Sequence, residues 1–198
     1  MEKIVFFGNS LIAGYGLKDP KSEALPALID QKLKQQRFSF EVVNAGLSGD
    51  TTAAALSRIA PYLTGNIAIF VIELGANDFL RGLSPTLIYN NLQTILSRVR
   101  VAQPLASILI LGIALPQWAY GHGSGYQGIY EKLAKENGVA IVPSFLKNVA
   151  GNRSLNMPDG VHPLASGYRI AAENIWPEIH TIIQARADRN SPQSNQLR

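Results

Sequence analysis

Three histidines stand in this sequence, and one of them has a carboxylate placed to work with it. His162 follows Asp159 by three residues in PDGVHP, between Val161 and Pro163. At that spacing Asp159 can reach the Nδ1 side of the imidazole and leave Nε2 facing outward. A carboxylate so placed holds one tautomer and stabilises an imidazolium. His122 sits among glycines in GHGSG, a poor setting for holding a base, and His180 falls in a helix-period segment near the end of the chain. Such a base typically serves a serine, which is a weak nucleophile until its proton is removed. Ser10, in GNSL, comes directly after the apolar run KIVFF. In SGDTT, a backbone N–H at Gly49 lies where the chain enters a helix, a position that suits an anion. In GAND, the Asn77 side-chain amide is a donor of the kind that holds an oxyanion. Each motif also has a plainer reading. DGVHP alone is a solvated turn with a helix-starting proline. SGDTT alone is a turn with a helix cap at Asp50 or Thr51. GAND alone is a strand-ending turn, and GNSL is a weak four-letter match.

These residues can act together only if the fold brings them together. Apolar runs alternate with helix-period segments along the chain. Strands are expected at 4–7, 40–43, 67–74, 108–113 and 139–142. Helices are expected at 22–36, with Pro26 tolerable only in its first turn, at 51–63, kinked or split by Pro61, and at 85–101, starting at Ser84 or Pro85. Two more are expected at 126–137, stopped by Gly138, and at 165–185. The strands are near-continuous apolar runs, as in sheets buried on both faces. The expected fold class is therefore α/β: a three-layer, flavodoxin-like fold with a five-stranded parallel sheet in the order 2-1-3-4-5 and helices on both faces. Residues 1–186 are expected to form a single domain, with 187–198 a polar, disordered tail. In such sheets ligands bind beyond the carboxyl ends of the strands. GNSL, SGDTT, GAND, the long segment ALPQWAYGHGSGY and the PDGVHP loop each follow a strand. All of them thus map to one edge of one sheet.

Bulk properties narrow the choice. Apolar content of 46% and charged content of 16% are those of an ordinary globular protein. The chain has no cysteine, which excludes disulfides and thiolate metal sites, and no His/Cys cluster suggests a metal. A net charge of +4 without a Lys/Arg patch argues against nucleic-acid binding. No apolar run reaches the ~18 residues that a membrane span needs. As written, the sequence points to a cytoplasmic chain, and to a periplasmic or secreted one where a leader has been removed. Oligomeric state is open. The phosphate loop fails because Gly8 to Gly14 lacks both spacing and lysine. The dinucleotide fingerprint fails at Ser10, and the nucleophile elbow fails at Ile12.

Together and in this order, GNSL, SGDTT, GAND and DGVHP resemble the SGNH hydrolases, also called GDSL esterases. They span Gly8 to His162, and the closest likeness is to the bacterial arylesterase, acyl-CoA thioesterase and lysophospholipase branch. The resemblance implies that Ser10 is the nucleophile, His162 the base and Asp159 its orienting acid. It implies an oxyanion hole made by the Ser10 and Gly49 N–H groups and the Asn77 amide. No cofactor is implied. The implied substrates are small-molecule esters, aryl or short to medium acyl, with acyl thioesters or lysophospholipids as further candidates and transient contact with lipid. Phe79, Leu80, Leu115 and Trp118 are the expected pocket walls. Two alternatives stand beside this: a carbohydrate O-acetylesterase with the same triad, and a non-catalytic binding module with a decayed site. The chain departs from the family at Asn9, where Asp is usual. Asn9 is expected to keep the acceptor for the turn's N–H groups while losing the charge.

Overall fold

A computed structural model describes residues 1–113, 126 and 128–190. Five strands form one all-parallel sheet in the order β2-β1-β3-β4-β5. They are β1 (Glu2–Gly8), β2 (Phe40–Gly46), β3 (Ile67–Glu73), β4 (Ser107–Leu111) and β5 (Ala140–Val142). The expected order therefore holds.

Side chains alternate across each strand, and the two faces feed two cores. Ile4, Phe6, Ile69, Val71, Leu109 and Leu111 pack on one side. There they meet α1 (Ser10–Ala13), α3 (Leu25–Gln35) and α8 (Ala165–Asn190). Val5, Phe7, Phe70, Ile72, Ile108 and Ile110 pack on the other. There they meet α4 (Thr52–Arg58), α6 (Pro85–Ala102) and α7 (Ile129–Asn137). All seven residues of β3 are buried, which is why that strand reads as an unbroken apolar run. On α6 the buried residues are Ile88, Leu92, Ile95, Leu96 and Val99, a stripe at helical spacing. Each such side chain stabilises the fold by roughly 1.5–3 kcal/mol on burial.

The structure departs from the expected elements where proline or short length intervenes. The helix expected at 22–36 is two, α2 (Pro20–Glu23) and α3, with Ala24 extended between them. Pro26 has no N–H for the Ser22 carbonyl, and the Gln31 side chain takes that carbonyl instead at 2.9 Å. Pro61 divides the next segment as expected: α4 ends at Arg58 and a 3₁₀ turn runs Ala60–Leu63. α7 starts at Ile129 rather than 126, because Gly128 takes a left-handed conformation ahead of it. α8 continues to Asn190, past the expected tail boundary at 187. Two short helices were not expected, α1 directly after β1 and α5 (Ala76–Leu80) directly after β3.

The register sets the site. Gly8 of β1 pairs with Gly46 of β2 and with Glu73 of β3. Three loops therefore leave the sheet at one level. They do so beside the β1/β3 boundary, where the strand order reverses and a crevice opens.

Candidate active site

β1 runs into α1 with Asn9 as the cap between them. Asn9 Oδ1 accepts the Leu11 N–H at 2.9 Å, which is the acceptor role expected of this side chain. Ser10 is the first residue of α1 and is 8% exposed. Behind the turn, Asn9 Nδ2 donates to Glu73 Oε1 at 3.1 Å, and the Asn9 N–H approaches Oε2 at 3.5 Å. Glu73 is fully buried. Burial pushes its carboxyl up to about 8, against the two Asn9 donors that favour the charged form. Sequence reasoning missed Glu73, and its one signal was a lone acid closing the most apolar run of the chain.

His162 sits in a tight hairpin. Met157 N–H donates to the His162 carbonyl at 2.7 Å, and Leu164 N–H to the Leu155 carbonyl at 2.8 Å. Asn156 bridges to Pro163, and the buried Asn156 side chain donates to the Val149 and Asn152 carbonyls. Within this frame Asp159 folds over its own turn. Its Oδ1 accepts the Val161 N–H at 2.9 Å and the His162 N–H at 3.0 Å. Its Oδ2 lies 2.7 Å from His162 Nδ1. Partial burial works to raise the Asp159 carboxyl, but these hydrogen bonds and the neighbouring imidazole outweigh it and hold it at about 2. His162 Nε2 lies 2.8 Å from Ser10 Oγ. Asp159, His162 and Ser10 thus form one continuous chain of hydrogen bonds across 152 residues of sequence. The Tyr15 ring packs on the imidazole with centroids 4.7 Å apart. His180 instead packs against Phe38 and Trp176, and His122 lies outside the described residues.

The other two loops are clasped together. Thr51 caps α4, its side chain accepting the Ala54 N–H, so the cap falls on Thr51 and Asp50 is left for other work. Gly49 stands just ahead with φ +82, a conformation that strains residues with a Cβ. Asn77 Nδ2 donates to the Asp50 carbonyl at 2.9 Å. Asp78, fully buried, accepts from the Thr52 N–H at 2.9 Å and from Thr52 Oγ1 at 2.5 Å. Arg81 donates to the Gly49 carbonyl at 3.0 Å. Asp78 and Arg81 both lie within GANDFLRG, and the sequence reading gave neither of them a role.

Ser10, Gly49, Asn77, Asp159 and His162 all line one open cleft of about 290 Å³. Its apolar walls are Leu11, Tyr15, Leu80 and Val161. Of the expected wall residues, Leu80 lines this cleft. Phe79 packs edge-on against Tyr126 instead, with centroids 4.9 Å apart. Leu115 and Trp118 lie outside the described residues. Tyr15 was missed because it lies outside every motif, and Val161 because it stands inside DGVHP as an apolar spacer between two chemically active residues. Among the described residues no group of His, Asp or Glu is arranged to hold a metal ion. Chemically, the arrangement can draw a proton from a hydroxyl through an oriented imidazole. It can also offer N–H donors to a negative charge forming in the same cleft.

The match to known proteins agrees in extent with this constellation. Residues 6–170 match the family described as GDSL-like Lipase/Acylhydrolase. The chain is 34% identical over 185 residues to the esterase TesA of Pseudomonas aeruginosa, covering 92% of this chain and 90% of that one. It is 35% identical over 164 residues to thioesterase 1/protease 1/lysophospholipase L1 of Escherichia coli K12, covering 82% and 76%. A crystal structure of TesA superposes with a TM-score of 0.83 at 33% identity, covering 91% of this chain and 99% of that one. Fold, motif order and sequence likeness over most of both chains lead to one conclusion: this chain belongs to the GDSL-like lipase/acylhydrolase family and is an ester-bond hydrolase.

Proposed function

We propose that this protein is a serine esterase that works through an acyl-enzyme on Ser10. The observation that carries the reading is the unbroken run Asp159 Oδ2, His162 Nδ1, His162 Nε2, Ser10 Oγ, with gaps of 2.7 and 2.8 Å. Ser10 Oγ attacks the ester carbonyl carbon while His162 Nε2 takes its proton. Asp159, ionised down to about pH 2, stabilises the imidazolium. The tetrahedral oxyanion is held by the N–H groups of Ser10 and Gly49 and by the Asn77 amide. Collapse of the intermediate expels the alcohol or thiol, which takes the proton from His162. Water then attacks the acyl-enzyme as His162 takes its proton. His162 returns that proton to Ser10 Oγ as the acid departs.

The substrate class is aryl and short to medium acyl esters, with acyl thioesters and lysophospholipids as further candidates. The apolar walls Leu11, Tyr15, Leu80 and Val161 support apolar acyl or leaving groups. The cleft volume lies at the small end of ligand pockets, which range over ~300–1,000 Å³. The names of the two relatives above, an esterase and a thioesterase/lysophospholipase, support the same class.

The test is hydrolysis of p-nitrophenyl esters across acyl lengths, with Ser10→Ala alongside. Activity that peaks at short or medium chains and vanishes in the variant is the expected result. Activity confined to acetyl esters would move the assignment to a carbohydrate O-acetylesterase. Absence of activity in both proteins would favour a binding module with a decayed site.

A further inference from the structure

Arg58 closes α4, outside every motif that the sequence singles out. Its guanidinium nevertheless meets the end of β1, the end of β2 and the loop that joins β2 to α4. Nε and Nη2 both lie 2.7 Å from Asp50 Oδ2. Nη2 also donates to the Gly8 carbonyl at 2.9 Å, and Nη1 donates to the Ala45 carbonyl at 3.0 Å. The charged group stacks over the Phe7 ring at 4.3 Å, with Tyr62 at 5.6 Å. The Gly8 carbonyl belongs to the peptide just before Asn9 and Ser10. Ala45 lies at the end of β2, and Asp50 directly follows Gly49. One planar fork therefore spans the turn that carries Ser10 and the turn that carries Gly49.

Asp50 extends the connection. It is almost fully buried, and its carboxylate faces Arg58 while its backbone carbonyl accepts the Asn77 amide at 2.9 Å. The three donors assigned to the oxyanion are thus linked: Ser10 through Gly8 and Arg58, Gly49 through Asp50, and Asn77 through the Asp50 carbonyl. A purely apolar side chain could anchor α4 to Phe7 equally well. It could not hold two carbonyls and a carboxylate at fixed angles, which is what a guanidinium does and an ammonium does not.

We propose that Arg58 and Asp50 are positioning residues for the oxyanion pocket, setting the spacing between the Ser10, Gly49 and Asn77 donors. The proposal rests on the assignment of those three donors above. Arg58 touches no reacting atom; it acts through the loops it joins. Small misplacements of this kind cost catalysis far more than they cost ground-state binding, and a shift of about 1 Å can lower a rate by ~10²-fold.

The test compares wild type, Arg58→Lys and Asp50→Asn on a p-nitrophenyl ester. Active sites are counted with a fluorophosphonate, and the affinity of a trifluoromethyl ketone, whose adduct with Ser10 carries an oxyanion, is measured in parallel. Arg58→Lys keeps the charge and loses the fork. Asp50→Asn keeps both the backbone carbonyl for Asn77 and one acceptor for Arg58. For Arg58→Lys the expected result is a kcat per counted site lowered ~10–100-fold, with KM within about twofold. Ketone affinity should fall by the same factor as kcat/KM. Asp50→Asn should show the same pattern with a smaller loss. A merely structural role lowers the melting temperature and the number of active sites while leaving kcat per site and ketone affinity unchanged. That outcome overturns the proposal. If Arg58→Lys does not fold, Asp50→Asn alone decides by the same criterion. Asn77→Ala separates the two levels of argument. Full activity in Asn77→Ala defeats the oxyanion assignment itself. Loss in Asn77→Ala with normal kcat in the Arg58 and Asp50 variants defeats only the positioning role.

Discussion

Asparagine beside the nucleophile removes a charge and adds a donor, and both consequences are visible at Asn9. Its oxygen caps α1, and its nitrogen faces the buried Glu73 carboxyl. That carboxyl has an ordinary value of 4.5 and is pushed to about 8 by burial. Between those values the unfolded chain is ionised at this residue while the folded chain keeps its proton. The folded state then binds more protons, so stability must fall as pH rises through that window. The contribution is fully present below pH 4.5 and gone above about 8. Glu73→Gln cannot ionise and lacks this slope. Urea unfolding at pH 5 and pH 8 should show wild type losing stability relative to Glu73→Gln, by on the order of 3–5 kcal/mol. Equal pH dependence in the two proteins would sink the argument. Asn77→Ala addresses the proposed chemistry at the same scale. It should fold normally and lose roughly 10²–10³ in kcat, the usual effect of deleting one oxyanion donor. The residues with a polar signature after a strand were legible in the sequence: Ser10, Gly49, Asn77, Asp159 and His162. Glu73 and Arg58 were not, because one ends an apolar run and the other looks like any basic residue at the end of a helix.

α5 is only five residues long, too short to hold itself by backbone hydrogen bonding alone. It is kept in place by what it grips. Asp78 accepts from Thr52, and Thr52 Oγ1 in turn accepts from Asn91 of α6 at 2.9 Å. Removing the Asp78 carboxylate strands the buried Thr52 N–H and hydroxyl, at about 1–3 kcal/mol for each orphaned group. Asp78→Ala is therefore expected to lower the unfolding free energy by a few kcal/mol. It should also lower kcat, because Asn77 rides on the same short helix. Chemical denaturation and steady-state kinetics together check this, and a stable, fully active variant would refute it. The short helices explain much of what periodicity failed to show. α1 and α5 span four and five residues, about one turn each. The break at Ala24 likewise depends on a missing proline N–H and on the Gln31 side chain that compensates for it.

Across the whole molecule, two apolar cores clamp the sheet and keep its carboxyl edge rigid. Leu92 of α6 is buried in one of them and does not line the cleft. Leu92→Ala should cost about 2–5 kcal/mol by transfer and cavity terms. Below its lowered melting temperature it should keep wild-type kcat. A large drop in kcat without loss of stability would contradict the separation of core from site.

Strand–helix alternation, near-continuous apolar strands and polar loops after each strand are local patterns of side-chain chemistry. The sequence by itself therefore determined the fold class, the sheet order and the sheet edge where the chemistry collects. Distances between loops are not local. That Gly8, Gly46 and Glu73 end level with one another is a matter of register. That Ser10 Oγ stands 2.8 Å from His162 Nε2 depends on closing a chain of 152 residues. That a carboxyl at the end of β3 lies beneath Asn9, and that Arg58 joins the ends of β1 and β2 to the loop after β2, depends on how helices settle against the sheet. Only the tertiary structure decided these, because hydrogen bonds between segments far apart in sequence are set by how the elements pack and leave no local pattern in the chain.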